Sequence, residues 1–407
     1  MREVFVVGIG MMKFGKYIDR NVKSLVGEAL EATFNDCEVE KSQIQNVYFS
    51  NTNWDQTSIK GQVALRPFGI ESIPIINVEN ACASGSTAFY HSWLSIASGM
   101  ADCSLAIGVE KLYMEDKEKV FKSFIVGVDV EQSEKQFALW GDLVKAANVE
   151  IPKDFKESAR TPFMDMYASH SQRHMSLYGT TQKQLAVIAS KNHNFGAQNP
   201  LAQYQIKMSP EDVMADKPIV YPLTRSMCAP IGDGSAATIL VSKDFLKKLS
   251  NSRPVKILAT VIASGRNRDV GHEDITERTA KMAYEMAGVG PEDIDIAELH
   301  DATSYGELHI SEGMGFCPIG DGGPFAESGA TSMGGQVVIN TSGGLISRGH
   351  PIGASGLAQM HELVLQLRGE AGGRQVENAR IALNENGGGT IGFEEAAMAV
   401  NILERAF

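Results

Sequence analysis

The 407-residue chain is 43% hydrophobic and 21% charged, enough apolar material for a large buried core spanning more than one ordinary domain. Its formal charge of −12 argues against a protein that tracks nucleic-acid phosphates, which needs a basic face. No apolar run reaches the roughly 18 residues of a membrane span, and five widely spaced cysteines without a CxxC pair suggest neither a disulfide framework nor a structural zinc site. The apolar start Val4–Ile9 is too short for a secretory leader, so a reducing cytoplasm is the expected location.

Along the chain, residues 30–51 read as an amphipathic helix, a short turn and a buried strand. A second buried strand is expected at Ile73–Val78, then a turn of small residues, a helix over Ala83–Ser98 and a strand over Ser104–Val109. From about 113 to 225 the pattern breaks. This stretch is rich in charge, His and Gln, and reads as an insertion of helices and loops that caps the first half and shapes a cleft. A linker is expected over Leu246–Pro254. Beyond it the pattern returns: at an offset of 250 residues Leu30 falls on Ala280, Phe34 on Tyr284, Ile44 on Ile294 and Phe49 on Leu299. The repeat continues with a strand at Gln336–Thr341, a Gly-rich turn, a helix over Ser355–Leu367 and a strand at Arg380–Asn384. Strands alternating with helices imply right-handed βαβ units and mostly parallel sheets. The expected fold is therefore α/β, with two similar halves, 1–245 and 254–407, packed face to face.

Cys82 stands in Asn80-Ala81-Cys82-Ala83-Ser84-Gly85, between a strand and a helix. A helix N-terminus favours a thiolate and should lower the thiol pKa, and small flanking residues leave room for a bulky thioester. A thiolate nucleophile needs a base and an anion stabiliser. The second half offers His350 in Gly349-His350-Pro351, at the position topologically matching Cys82, and His300-Asp301 at a strand end. It also offers Asn386-Gly387-Gly388-Gly389 just after a strand, where bare backbone can present N–H groups. A buried cysteine is more often an apolar filler and a lone histidine more often structural; four such features at strand ends of two matched halves point to chemistry. Other signals carry less. Gly10–Lys16 lacks the Ser or Thr of a P-loop, and His170/His174 lack the Glu of a zinc-protease helix, which leaves them as surface or interface residues. Trp93, Leu94 and Ile96 read as core, His361 as packing, and Cys317 as part of a structural turn.

These residues resemble the thiolase superfamily, and within it the sterol-carrier-protein-type (SCP2-like) thiolases. The resemblance rests on Val7–Gly10, Asn80–Gly85, Gly108–Lys111, Tyr178–Thr181, Lys191–His193, Pro230–Gly234, His300-Asp301, Gly349–Pro351 and Gly387–Gly389, in that order. It implies a five-layer αβαβα sandwich and CoA-dependent cleavage or condensation of 3-oxoacyl-CoA through an acyl-cysteine on Cys82. His350 would lower the Cys82 pKa and help bind the thioester oxygen, and His300 would support a second oxyanion site. The backbone N–H groups of Cys82 and Gly387 would form the hole for the tetrahedral intermediate. Coenzyme A is implied as co-substrate, with no permanently bound cofactor and no metal. Two positions depart from the family: where many relatives carry a second cysteine this chain has Glu385, and where SCP2-like enzymes carry one after the His-Asp pair it has Ala302. Proton transfer then falls to His300, ahead of Glu385 or a bound water. The missing cysteine is similar to the catalytic subunits of benzoylsuccinyl-CoA thiolases, which suggests an aromatic substrate. The resemblance also implies a homodimer and a small DUF35-type partner (zinc ribbon and OB-fold) completing a heterotetramer. The competing readings are a retro-aldolase acting on CoA thioesters and a non-catalytic thiolase-like subunit.

Overall fold

Among the described residues, ten strands, most of them apolar on both faces, form one sheet. The computed structural model describes residues 1–54 and 57–406, apart from the side chains of Lys117, Lys119 and Lys122; Phe407, the last residue of the expected second half, lies outside them. The first half runs β1 (Val4–Met11), α1 (Val22–Asn35), β2 (Asn46–Ser50), α2 (Lys60–Leu65), β3 (Ile75–Val78), α3 (Ser84–Ala97) and β4 (Cys103–Glu110). The insertion follows as α4 (Lys117–Ser123), α5 (Ser133–Ala147), α6 (Pro162–Tyr178), α7 (Gln182–Gly196), α8 (Pro210–Ala215) and a small hairpin of β5 (Pro218–Val220) and β6 (Leu223–Thr224). β7 (Gly234–Ser242) and α9 (Lys243–Leu246) lead to irregular chain before β8 (Val255–Ser264). The rest is α10 (Ile275–Ala287), β9 (Ile296–Glu298), α11 (Ser304–Gly313), α12 (Gly322–Glu327), β10 (Val338–Ile339), α13 (Gly344–Arg348), α14 (Ser355–Arg368), β11 (Ile381–Gly388) and β12 (Ala397–Arg405).

The sheet order is β10-β9-β11-β12-β8-β1-β7-β4-β2-β3, and its two five-strand sets repeat each other. In each, the first strand pairs antiparallel with the last, the last pairs antiparallel with its other neighbour, and the two outer pairings are parallel. The expectation of mostly parallel sheets is corrected here. β7 arrives after a long insertion and β12 after a short hairpin loop, so neither is tied to the helical crossover that forces parallel pairing.

Packing follows the strand period of two. Val4 and Val6 of β1 face a core built from α3 and α14, while Phe5 and Val7 face the opposite side, toward α1. A register shift between Val6 and Gly8 then reverses the parity, so that Ile9 and Met11 join Val4 and Val6 on the inner side. The central core holds Phe89, Trp93 and Ile96 of α3, Leu357, Leu363 and Leu367 of α14, and strand residues of both halves. Outer cores form under α1 on the first half and under α10 and α11 on the second. This gives five layers: helix, sheet, paired central helices, sheet, helix. The central helices touch where both have glycine. A Cβ on Gly85 would lie 3.1 Å from the backbone nitrogen of Gly356, so any side chain there would push α3 off α14.

Three readings of the sequence change. β3 is not a buried strand but a half-open edge, with Ile76 39% exposed, because only β2 flanks it. β11 extends past Asn384 to Gly388, so two glycines of the triplet lie inside the strand. Trp93 and Ile96 are core, but Leu94, turned about 100° around the helix from Trp93, is 37% exposed. The insertion builds its own core (Met166, Tyr167, Leu185 and Ile188) against Tyr305, Leu308 and Leu345 of the second half. His174 is buried within it, bonded to Thr180 Oγ1 at 2.6 Å and Glu312 at 3.2 Å, rather than lying at the surface.

Candidate active site

Cys82 occupies the tight turn between β3 and α3. Ala81 takes a left-handed φ of 46°, which L-residues adopt at a cost, and the turn is closed by Ala83 N–H donating to Asn80 O (2.9 Å) and Asn80 N–H to Ser84 Oγ (2.9 Å). The second half presents His350 from the matching place, the loop that opens α14. His350 Nε2 lies 3.2 Å from Cys82 Sγ, and its Nδ1 lies 2.7 Å from Ser355 Oγ. The Ser355 hydroxyl donates to Pro351 O (3.0 Å), so it must accept from Nδ1–H. That sets the tautomer. Nε2 is left with a lone pair directed at the thiol.

His300 follows β9, with its ring 5.1 Å from that of His350. Asn386 Oδ1 accepts from Ser86 Oγ (2.9 Å), which turns the amide nitrogen toward His300 Nδ1 at 3.0 Å. The His300 Nδ1 therefore accepts, and the proton sits on Nε2, a donor. Cys82, His300 and His350 bring three ligating atoms within 4.8 Å of one another, close enough to hold a metal ion. Their hydrogen bonds already commit them as thiol, donor and acceptor, respectively.

Burial dominates the electrostatics. It pushes the Cys82 thiol up to about 12, with the Glu110 carboxylate adding to the rise and backbone N–H groups of Gly389 and Cys82 opposing it. The expected thiolate-favouring shift is thus reversed, because the turn is enclosed by the second half instead of standing at an open helix end. Burial, His300 and Arg348 hold His350 well below its ordinary value, and burial with Arg348 takes His300 down to about 3. At neutral pH the resting pair is thiol and neutral imidazole, poised to exchange a proton only on attack.

The backbone N–H groups that reach the sulfur are those of Cys82 and Gly389, whereas Gly387 lies inside β11, opposite Met398. Because the strand continues through Gly388, Gly389 is the first glycine of the triplet beyond its end. Glu385 is fully buried within this strand, on the same face as Gly387, with Oε2 accepting from His300 N–H at 2.9 Å. Burial above all, with Glu395 nearby, pushes its carboxyl up to about 8. Glu110 ties the halves together: its carboxylate accepts from Asn53 N–H (2.9 Å) and Gly353 N–H (2.9 Å). Arg348, wholly buried and paired with Glu298 at 3.1 Å, supplies the positive charge behind both histidines. Sequence reasoning missed Ser355, Asn386, Arg348 and Glu395. Only Asn386 lay in a stretch already singled out.

Cys82, His300, His350 and Gly387–Gly389 line one wall of a cavity of about 360 Å³. The cavity is also lined by aromatic side chains: Phe121, Phe124, Phe163, Tyr167 and Tyr204. Cys317 is not among the residues lining it.

The frame is a duplicated five-layer α/β fold, with a thiol, an oriented imidazole and free backbone N–H groups gathered where its halves meet. Residues 4–218 match the family model for the thiolase N-terminal domain and residues 262–404 that for a thiolase C-terminal domain-like unit. The chain belongs to the thiolase family of acyl-CoA acyltransferases, and its similarity extends to the sterol-carrier type. It is 38% identical over 416 residues to sterol carrier protein 2 of Oryctolagus cuniculus, covering 97% of this chain and 73% of that one. An acetyl-CoA acetyltransferase of Methanothermobacter thermautotrophicus is 36% identical over 414 residues, with full coverage of both chains (100% each). The benzoylsuccinyl-CoA thiolase subunit BbsB of Thauera aromatica is 34% identical over 398 residues, 95% of each. Among solved structures, a chain of an Ltp2–ChsH2(DUF35) aldolase shares the fold with a TM-score of 0.77 at 20% identity, covering 99% of this chain and 98% of that one. Among the described residues, no helix is long and apolar enough to cross a membrane.

Proposed function

We propose that this protein cleaves or forms 3-oxoacyl-CoA thioesters by CoA-dependent thiolysis through an acyl-cysteine on Cys82. The observation that carries this reading is the 3.2 Å contact between Cys82 Sγ and an unprotonated His350 Nε2. As the sulfur attacks the ketone carbon, His350 takes the thiol proton. The N–H groups of Cys82 and of Gly389, just past the end of β11, face the developing oxyanion, and the His300 Nε2–H donates to the thioester oxygen of the departing enolate. Cleavage of the bond between C2 and C3 leaves the acyl group on Cys82, and free CoA then removes it. Coenzyme A enters as a co-substrate, with no cofactor held permanently and no metal in the chemistry.

The aromatic lining of the cavity supports a bulky acyl group, an aromatic one such as the benzoyl of benzoylsuccinyl-CoA among them. The open edge at β3 supports a homodimer through the first-half sheets, and a small DUF35-type partner would complete a heterotetramer in the cytoplasm. We place the division between the two units at 246–254, with 113–225 as the inserted cap.

Intact-mass spectrometry tests the reading. The protein, with any co-purifying partner, is mixed with a panel of acyl-CoA and 3-oxoacyl-CoA esters. An acyl-sized gain that vanishes in Cys82→Ala is expected, and its mass names the acyl group. Carbon–carbon cleavage without an adduct would replace thiolysis by a retro-aldolase reaction. Neither adduct nor cleavage would leave a non-catalytic subunit.

A further inference from the structure

Thiolysis needs a group that gives a proton to the departing enolate and later takes one from the CoA thiol. Position 302 is alanine and position 385 glutamate, so no second thiol stands at either place. His300 is ill suited, because its accepting nitrogen is taken by Asn386 and its other nitrogen carries a proton. Glu385, a residue of β11 on the same face as Gly387, gives one oxygen to the backbone N–H of His300 and does not line the cavity. Cys228 lines it, but its thiol donates to Thr224 O at 3.4 Å within the insertion's wall.

Glu395 remains. It sits in the hairpin loop between β11 and β12 and lines the cavity together with Cys82, His300 and His350. The loop is held firmly by its neighbours: Glu394 takes Arg268 at 2.7 Å and Arg278 at 2.8 Å, and Gly392 N–H donates to Gln136 at 2.8 Å. Glu394 thus absorbs both arginines. Among the described residues no cation forms an ion pair with Glu395. The strand beside it is shaped to admit this side chain. Gly387 does not have a positive φ, so backbone conformation does not require glycine there. Space does: a Cβ on Gly387 would lie 2.9 Å from Glu395 Cγ.

We propose that Glu395 is the general acid–base of this site. The inference rests on the acyl-transfer reading above. With Glu395 protonated, Cys82 adds to the ketone, His350 receives the thiol proton, and the C2–C3 bond breaks to give acyl-Cys82 and an enolate. The Glu395 carboxyl protonates the enolate carbon, releasing the first CoA ester and becoming a carboxylate. That carboxylate takes the proton of incoming CoA thiol. The thiolate displaces Cys82 sulfur from the acyl group, and Cys82 recovers its proton from His350, so both enzyme groups end as they began. Burial, the largest influence on it, raises the Glu395 carboxyl above its ordinary range, which keeps a proton available for the first transfer.

The test follows the proton, not the turnover. The native protein, with any co-purifying partner, is incubated in D2O with acetyl-CoA, propionyl-CoA or succinyl-CoA, and deuterium entering the α-carbon is read by mass. Glu395→Gln is expected to slow exchange about 100-fold or more, the range of a lost general base. Alkylation of Cys82 by iodoacetamide should stay within about threefold of native, showing that fold and nucleophile survive. Glu395→Asp, which keeps the acid but draws it back, is expected to retain part of the exchange. Undiminished exchange in Glu395→Gln overturns this inference alone, and its loss in Glu385→Gln instead would transfer the role. No exchange and no acyl-Cys82 in the native protein would overturn the acyl-transfer reading and this inference together.

Discussion

The two halves share a strand order and a layer scheme, yet they bring different chemistry to the place where they meet. Each sends a loop into the N-terminus of its own central helix. The first half puts a thiol there, Cys82 before α3, and the second an imidazole, His350 before α14. Glycines let those helix starts touch, which brings together side chains 268 positions apart in sequence. The duplication thus supplies two equivalent posts, and function arises from filling them unequally. The second half carries most of the electrostatic apparatus: both histidines, Arg348, Glu385 and the glycine strand. The first contributes the Cys82 thiol, its strained turn and Glu110, which clasps the opposite loop.

The sharpest way to break the asymmetry is Cys82→Ala. Thiolysis should fall by at least about 10⁴-fold, as when a catalytic nucleophile is removed, with the melting temperature nearly unchanged; coupled assay and calorimetry read both. Next comes Arg348→Met, which leaves Glu298 buried without its cation. A cost of about 3–5 kcal/mol is expected for breaking a fully buried pair, measured by urea denaturation. Ser355→Ala frees the His350 tautomer. Thiolysis should drop about tenfold with KM little altered, since the serine orients the base and does not touch substrate. Removing a methylene-sized hydroxyl should leave stability close to native.

The smallest effect concerns pH. The folded-state pKa of Glu385, about 8, lies above its ordinary 4.5. The folded chain therefore holds this proton more tightly than the unfolded one. The contribution to stability is full below about 4.5 and declines as pH rises through about 8. Glu385→Gln, which cannot ionise, should show a shallower loss of stability between pH 6 and 8.5 than native protein, by on the order of 1–2 kcal/mol. An identical slope in both proteins would show that the carboxyl is not buried as described.

Much of this frame was legible because a repeat exposes itself. The 250-residue offset carries the short turn at Lys41–Gln43 onto Pro291–Asp293, and β2 onto β9. Cys82, His300 and His350 stood out because small residues and glycines mark the turns that hold them. What stayed hidden depends on contacts between distant parts. The upward shift of the Cys82 pKa comes from enclosure by the other half, whereas reading the local helix start alone gives the opposite sign. The antiparallel pairings of β7 and β12 depend on where long connections return. Glu395 looks like one acid of an exposed pair until Arg268 and Arg278, more than a hundred residues upstream, claim its neighbour.

The edge strand β3 has a consequence for how this protein behaves as it is diluted. Among the described residues its outward row of peptide groups has no strand partner, and the chain leaves β3 only a few residues before the turn that bends around Ala81. Any second strand docking on that edge would brace the backbone feeding the nucleophile. In the homodimer proposed above, assembly and turnover would be linked equilibria. The rate per site would fall with falling protein concentration, and a substrate that tightens the turn would strengthen self-association by the same factor.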